Sequence, residues 1–194
     1  MSIDYITVLL VNTIVGLLAG AMFLWKGLDG PNHKPWAAVF AMAGGVLLVM
    51  GIHMAATWPI QDFKLPDKVM HLRYANSAFG EMSILFGALL LGLALSLAKG
   101  WDLRPVSVYA FFTGVTAVVL GVCMWWLSLT KMPPVTGAGY ILAGLGAMVA
   151  SVALWRPANK ALRRVGAVLL ALAALVWLMT VIPAYWAHME GWSK

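Results

Sequence analysis

The chain has 194 residues, of which 62% are hydrophobic and only 10% are charged, and its mean hydropathy is +0.88. Soluble domains carry about 25% charged residues, so this composition excludes an ordinary soluble protein and indicates a chain built for lipid. The formal net charge of +6 requires no nucleic-acid partner, because basic residues beside anionic lipid account for it.

Six uncharged segments have the length of a transmembrane helix, which needs about 20 apolar residues. In chain order they span residues 6–25, 35–58, 82–98, 105–130, 132–155 and 165–187. They are continuous and do not alternate with a period of two, which favours helices over a barrel. We predict an all-α integral membrane bundle of six transmembrane helices, forming a single domain over residues 1–194 with an exterior loop at about 59–78.

Helices 2 and 4 follow one template. When Lys34 is aligned with Arg104, the GIHM motif at 51–54 falls on the GVCM motif at 121–124. The same alignment places Gly44 on Gly114, and a weaker third copy begins at Arg163 in helix 6. This internal repeat predicts three tandem two-helix hairpins, with the glycines as packing positions between helices.

The basic residues predict the orientation in the membrane. The connections after helices 1, 3 and 5 carry eight Lys or Arg, whereas the opposite side carries five. The positive-inside rule therefore predicts a multi-pass protein of the cell membrane with both termini exterior. The single cysteine, Cys123, excludes an internal disulfide.

Several polar side chains fall near the exterior ends of the predicted helices. Ionisable groups in membrane spans usually face a bundle interior or a wet cavity, so such positions are functional hypotheses. We predict an exterior pocket between helices 2, 3 and 6. Its candidate residues are His53, Glu81, His188, Tyr185, Cys123 and Met54.

These residue types indicate a cofactor site. Histidines on different helices ligate haem or a transition metal, a carboxylate adds a harder ligand, and thiolate and thioether ligands favour copper. The predicted cofactor-binding residues are His53, Glu81, His188 and Tyr185, and the predicted metal ligands are His53, Glu81, His188, Cys123 and Met54. The first functional hypothesis is therefore a protein that binds haem b, copper or iron within a membrane redox complex. Glu81 as a helix cap and His188 as an ordinary interfacial residue are the competing interpretations.

Two other functions fit the sequence. One is a non-catalytic structural or assembly subunit of a membrane complex. The other is a small transporter or channel, ranked last because no ionisable side chain continues a path through the inner leaflet. No H-E-x-x-H, no paired C-x-x-C and no P-loop is present, so no class of enzyme is predicted.

A set of short motifs spans most of the chain: TWP at 57–59, FGE at 79–81, KGWDLRP at 99–105, SLTK at 128–131, and PAY at 183–185 followed by His188. With these motifs the sequence resembles the prokaryotic membrane proteins of domain-of-unknown-function family 981. The resemblance implies a polytopic helical membrane protein without an assigned activity, and it brings no catalytic residues. The link from TWP to FGE is longer than the resemblance implies, which marks Asp62, Asp67 and His71 as local additions.

Overall fold

The computed structural model describes residues 4–65, 68–70 and 72–192. Within these residues lie six long helices: α1 Tyr5–Trp25, α2 Trp36–Thr57, α3 Met82–Lys99, α4 Arg104–Trp126, α5 Pro133–Trp155 and α6 Lys160–Trp192. A 3-10 turn, Gly27–Asp29, follows α1, and a π-helix, Asn76–Glu81, leads into α3. All six are long and apolar enough to cross a membrane, which confirms the predicted six-helix membrane protein.

A short antiparallel hairpin occupies the loop between α2 and the π-helix. Its strands, β1 Phe63–Leu65 and β2 Lys68–Met70, pair with Phe63 opposite Met70. The hairpin marks one face of the bundle, which we call the hairpin face, where α1 begins and α6 ends. The opposite face carries the eight Lys or Arg described above and is called the basic face. Asp67 and His71 lie outside the described residues.

The buried Asn76 side chain anchors this loop to the bundle. Its amide oxygen accepts from the Ile60 nitrogen at 3.0 Å, and its amide nitrogen donates to the Ile60 carbonyl at 2.7 Å. Because Asn76 is fully buried, both halves of its amide need such partners. The loop is therefore fixed at the start of the π-helix.

Two helix ends differ from the prediction for identifiable reasons. Helix α4 ends at Trp126 and not at residue 130, because Ser128 has a left-handed backbone with φ of 50°. Helix α6 begins five residues before the predicted segment, with the Asn159 side chain accepting from the Leu162 nitrogen. Hydropathy locates only the part of a helix that lies in lipid, and the charged first turn of α6 extends beyond it.

The six helices form a closed ring. Each helix packs on its neighbours in chain order, and α6 returns to pack on α1. Large apolar side chains cover the outside of the ring, where they contact lipid; Met42, Phe112 and Met179 are examples. Two pairs pack most closely, α2 with α3 and α4 with α5, while α6 packs about equally on α5 and on α1.

Glycine pairs set the spacing of these two helix pairs. Gly44 and Gly51 face Gly87 and Gly80 between α2 and α3, and the aligned Gly114 and Gly121 face Gly144 and Gly137 between α4 and α5. A Cβ added at Gly44 would lie 2.9 Å from the Gly87 carbonyl oxygen, and one at Gly114 would lie 2.6 Å from that of Gly144. The repeat seen in the sequence is thus a repeat of backbone-to-backbone packing.

We expect Gly44→Ala to lower the free energy of unfolding by about 1–3 kcal/mol, because its methyl group meets the backbone of α3 and forces the helices apart. Gly45→Ala is the matched control, since a Cβ at this neighbouring position meets nothing within 4 Å. Thermal unfolding of both variants in one detergent provides the measurement. Equal losses for the two variants would contradict the packing role.

Candidate functional site

The His53 side chain lies on the exposed surface of α2, near the hairpin face. Its Nδ1 is 2.7 Å from the Tyr5 hydroxyl of α1, and the two rings stack with centroids 5.6 Å apart. Thr57 also approaches Nδ1, at 3.4 Å, and donates to the His53 carbonyl. The imidazole therefore joins α2 to α1 and does not point into the centre of the ring.

His188 pairs with the residue beside Tyr5. Its Nδ1 lies 2.6 Å from a carboxylate oxygen of Asp4, which also caps α1 by accepting from the Thr7 nitrogen at 3.1 Å and the Thr7 hydroxyl at 2.6 Å. Burial alone would raise the pKa of Asp4, but the hydrogen bonds from Thr7 and His188 outweigh it and lower that pKa. Asp4 and Tyr5 thus tie the start of α1 to α6 and α2 respectively.

The other predicted site residues are dispersed. Glu81 is exposed within the π-helix and accepts from Ser77, while Cys123 is a partly buried free thiol in α4. Met54 is fully buried between helices, and Tyr185 is half exposed on α6. Among the described residues, no three His, Cys, Asp or Glu side chains are grouped so as to hold a metal ion.

The predicted pocket between helices 2, 3 and 6 is absent for a topological reason. In the described part of the chain, α1 packs between α2 and α6, so their polar residues reach α1 and not each other. Glu81 is the last residue of the π-helix and holds the cap position of α3, but its side chain makes no capping hydrogen bond. Binding of haem, copper or iron by these residues stays a prediction, without a shared site in the described chain.

A groove of about 560 Å³ lies on the outside of the ring between α1 and α6, with Tyr185 among its lining residues, and two smaller cavities lie inside the ring. A cavity of about 80 Å³, which we call the hairpin-side cavity, is lined by α1, α3, α4, α5, α6 and the end of the π-helix. Its walls are apolar except for Thr13, Ser83, Thr113 and Tyr140. Both Ser83 and Thr113 are more than nine-tenths buried.

A second cavity of about 70 Å³, the basic-side cavity, continues toward the other face. Its polar lining consists of Ser107 and Ser151, and the rest is apolar. Five residues line both cavities and form the neck between them: Leu17, Phe86, Leu89, Ala147 and Leu170. The two cavities therefore lie in line across the bundle, and an apolar neck separates them.

Aromatic contacts shape the hairpin-side cavity. Trp177, 2% exposed, meets Tyr140 edge to face at a centroid distance of 4.9 Å, and it fits because Gly139 leaves room for its indole. The Tyr140 hydroxyl donates to the Ala78 carbonyl in the π-helix at 3.2 Å. Such π-helical turns widen the backbone spiral and are frequent at functional sites. This bond positions Phe79 on the cavity wall.

Side chains at the basic face close the walls of the basic-side cavity. Trp155 Nε1 donates to the Ser107 hydroxyl at 2.8 Å, and the Arg104 guanidinium lies over the Trp155 ring. Hydrogen bonds from Arg104 lower the pKa of Asp102. On the opposite wall, the buried Arg163 donates through Nε to the Leu24 carbonyl at 2.9 Å and pairs with Asp29 at 2.7 Å. These contacts join α4 to α5 and α6 to α1.

A family model described as "Protein of unknown function (DUF981)" matches residues 1–191. The chain belongs to the DUF981 family. This confirms the resemblance drawn from the TWP, FGE and related motifs. No curated relative matches the chain.

Solved structures of similar fold are urea channels of Helicobacter pylori. One is a cryo-EM structure of the Helicobacter pylori urea channel in a closed state, with a TM-score of 0.68 at 17% identity, covering 96% of this chain and 98% of that chain. The other is a crystal structure of the urea channel from this human gastric pathogen, with a TM-score of 0.65 at 18% identity, covering 90% and 97%. At these identities the likeness establishes a shared fold.

The first functional hypothesis, a protein of a membrane redox complex, is wrong. The DUF981 chain shares its architecture with membrane channels, and the residues chosen for the cofactor site are spread around the rim of the ring. The residues that line the cavities were missed because most are Leu, Phe, Ala and Gly, which also fill ordinary helix interfaces. The sequence offered one sign of this site in Thr113, which directly precedes the aligned Gly114. A hydroxyl beside a packing glycine must lie near a neighbouring helix, inside the bundle.

We expect Asp4→Asn to lower the free energy of unfolding by up to about 1 kcal/mol near neutral pH, because Asn keeps the cap but loses the charge opposite His188. The lowered pKa means that this stabilisation is complete above the ordinary aspartate pKa of about 3.9 and is lost as the pH falls through the lowered value. Denaturation curves of both proteins should therefore converge in acid. In a His188→Gln background the loss should be smaller, with only the part due to the Thr7 hydrogen bonds remaining, and an undiminished loss there would refute the pairing.

Proposed function

We propose that this DUF981 protein is a channel for a small uncharged solute, which passes through the centre of the helix ring. The observation that carries the proposal is the pair of cavities in line across the bundle. The apolar neck that lies between them is formed by Leu17, Phe86, Leu89, Ala147 and Leu170. The shared fold with urea channels supports it. This was the function ranked last from the sequence.

The lining of the cavities favours neutral cargo. No Asp, Glu, Lys, Arg or His of the described chain lines either cavity, and a charge at such depth in a membrane costs several kcal/mol at least. The sequence argument against a channel was the lack of ionisable residues along the path. That lack opposes an ion pathway but suits a neutral solute, and the apolar neck further opposes the passage of ions by dewetting.

The size of the cavities favours a solute of a few heavy atoms. The volumes of about 80 and 70 Å³ each have room for a few water-sized groups, since one water needs roughly 10–15 Å³ of such space. Water, ammonia, urea and short amides fall in this range, and sugars and amino acids exceed it. Urea is the first probe to use, since the solved structures of like fold are channels for it.

We further propose that the protein lies in the cell membrane with its basic face in the cytoplasm and both termini outside. The eight basic residues of that face against five on the hairpin face support this orientation.

We expect purified protein in phosphatidylcholine–phosphatidylglycerol vesicles to accelerate urea entry, and Ala147→Leu to reduce the protein-dependent rate about tenfold or more. The larger side chain occupies the neck, and overpacking there costs about 1–3 kcal/mol. Stopped-flow light scattering measures the rate. Ala41→Leu, which adds the same atoms on the exposed side of α2, is the matched control and should leave the rate unchanged. A wild-type protein that accelerates no neutral solute would overturn the channel.

The orientation is tested with single cysteines in a Cys123→Ser background. Gln61→Cys lies in the described loop of the hairpin face, and Ala158→Cys lies in the connection before α6 on the basic face; both positions are exposed. A membrane-impermeant maleimide added to intact cells should label Gln61→Cys alone. Labelling of Ala158→Cys alone would reverse the proposed orientation.

A further inference from the structure

Three hydroxyls in the hairpin-side cavity lack a partner in the protein. Ser83 of α3 and Thr113 of α4 are 7% and 6% exposed, and Thr13 of α1 lies on the same cavity wall. Within residues 4–65, 68–70 and 72–192, none of these hydroxyls makes a hydrogen bond. Elsewhere in the helices, hydroxyls donate to a backbone carbonyl of the preceding turn, as in Ser96, Ser107, Thr116, Ser151 and Thr180.

The absence of a protein partner for the hydroxyls of Thr13, Ser83 and Thr113 has a physical meaning. The three hydroxyl oxygens are not among the fully buried unpartnered atoms of the described chain, so they are open to the cavity, where water or a ligand can satisfy them. Each hydroxyl both donates and accepts, so it can bind a carbonyl oxygen or an amino group. Because Thr13, Ser83 and Thr113 come from three different helices and line one small cavity, a single bound molecule is able to contact more than one of them.

The basic-side cavity has the opposite character. The Ser107 hydroxyl donates to the Arg104 carbonyl at 2.6 Å, and the Ser151 hydroxyl donates to the Ala147 carbonyl at 2.7 Å. These are the hydroxyls that line this cavity in the described chain, so it contains no free hydroxyl donor. A solute that has crossed the neck therefore loses hydrogen bonds when it enters the basic-side cavity. A solute that is polar at both ends loses more of them than a solute with one apolar end.

We infer that Thr13, Ser83 and Thr113 form a binding site for the polar end of a small neutral solute, and that the apolar second cavity selects solutes with one polar and one apolar end. The inference rests on the proposed channel function and narrows its substrate class. Acetamide and urea are a suitable probe pair, since acetamide replaces one amino group of urea with a methyl group of similar size. The structure favours acetamide.

The first experiment compares the two solutes in the same vesicles. After subtraction of the rate in protein-free vesicles, wild-type permeability to acetamide should exceed that to urea by about fivefold or more, since urea carries an additional amino group into the apolar basic-side cavity. Protein-dependent rates that are equal, or larger for urea, would overturn the preference while leaving the channel function in place.

The second experiment tests the hydroxyls. Thr113→Val and Ser83→Ala should each lower acetamide flux at low concentration about two- to tenfold, the effect of one lost hydrogen bond. Thr113→Ser keeps the hydroxyl and should retain most of the flux. Thr116→Val, three residues along α4 and exposed to lipid, is the matched control and should change nothing. Unchanged flux in Thr113→Val, or equal losses in Thr113→Ser and Thr113→Val, would overturn the site.

Binding is measured separately from transport, so that failure of the channel and failure of the site are distinguished. Saturation-transfer NMR of acetamide with the full-length protein in detergent requires no flux. Wild-type binding that Thr113→Val weakens would support the site even if vesicles showed no transport. Wild-type protein that does not bind acetamide and accelerates the entry of no neutral solute would overturn both proposals.

Discussion

Backbone contact between paired glycines is the constraint on which the rest of the structure depends. In lipid no hydrophobic effect drives helices together, so close packing must hold them, and carbonyls that lie against glycine Cα atoms give the closest approach available. Gly44 with Gly87 and Gly114 with Gly144 bring two helix pairs to this limit at corresponding positions. Helix α6 has no such glycine pair with a neighbour in the described chain and packs about equally on α5 and on α1. The looser contacts between pairs, such as that of α3 with α4, leave space that the side chains fill incompletely. The central cavities are thus a consequence of where the close contacts are placed.

The polar side chains of the protein form two sets that differ in location and in role. Charged and histidine side chains occupy the rims: Asp4 with His188 at the hairpin face, and Arg163 with Asp29 at the basic face. They join ends of helices, where water and lipid headgroups reduce the cost of a charge. The hydroxyls of Ser and Thr reach the interior, where a neutral group costs less than an ionised one. A path lined by hydroxyls and hydrocarbon is suited to uncharged molecules, and the same separation leaves no interior cluster able to hold a metal among the described residues.

This division also explains what the sequence could and could not predict. The spans and the repeat follow from hydropathy and from two glycines seven residues apart, because both properties are local to one helix. The composition of the site, by contrast, depends on contacts between helices that are distant in the sequence. His53 drew attention as an ionisable residue within a span, yet its place on the circumference of α2 depends on which neighbours α2 has. Only the ring order, with α1 between α2 and α6, shows that His53 faces Tyr5. For cavity residues such as Leu89 and Ala147, the sequence carries no sign that separates a wall from a packed interface.

The repeat provides a scaffold, and departures from the repeat create the site. Thr113 of α4 aligns with Ala43 of α2, and both lie directly before a packing glycine. Ala43 is buried in the apolar core that includes Phe40 and Leu47, and no α2 residue lines the hairpin-side cavity. A hydroxyl at position 43 would meet packed hydrocarbon, whereas at position 113 it meets open space. Helices α2 and α4 are therefore alike in their glycine packing but unequal in what they present to the centre. Under the proposed channel function a solute needs hydrogen bonds at particular points along its path, and the unequal distribution of hydroxyls between α2 and α4 would provide them at one side of the duplicated fold only.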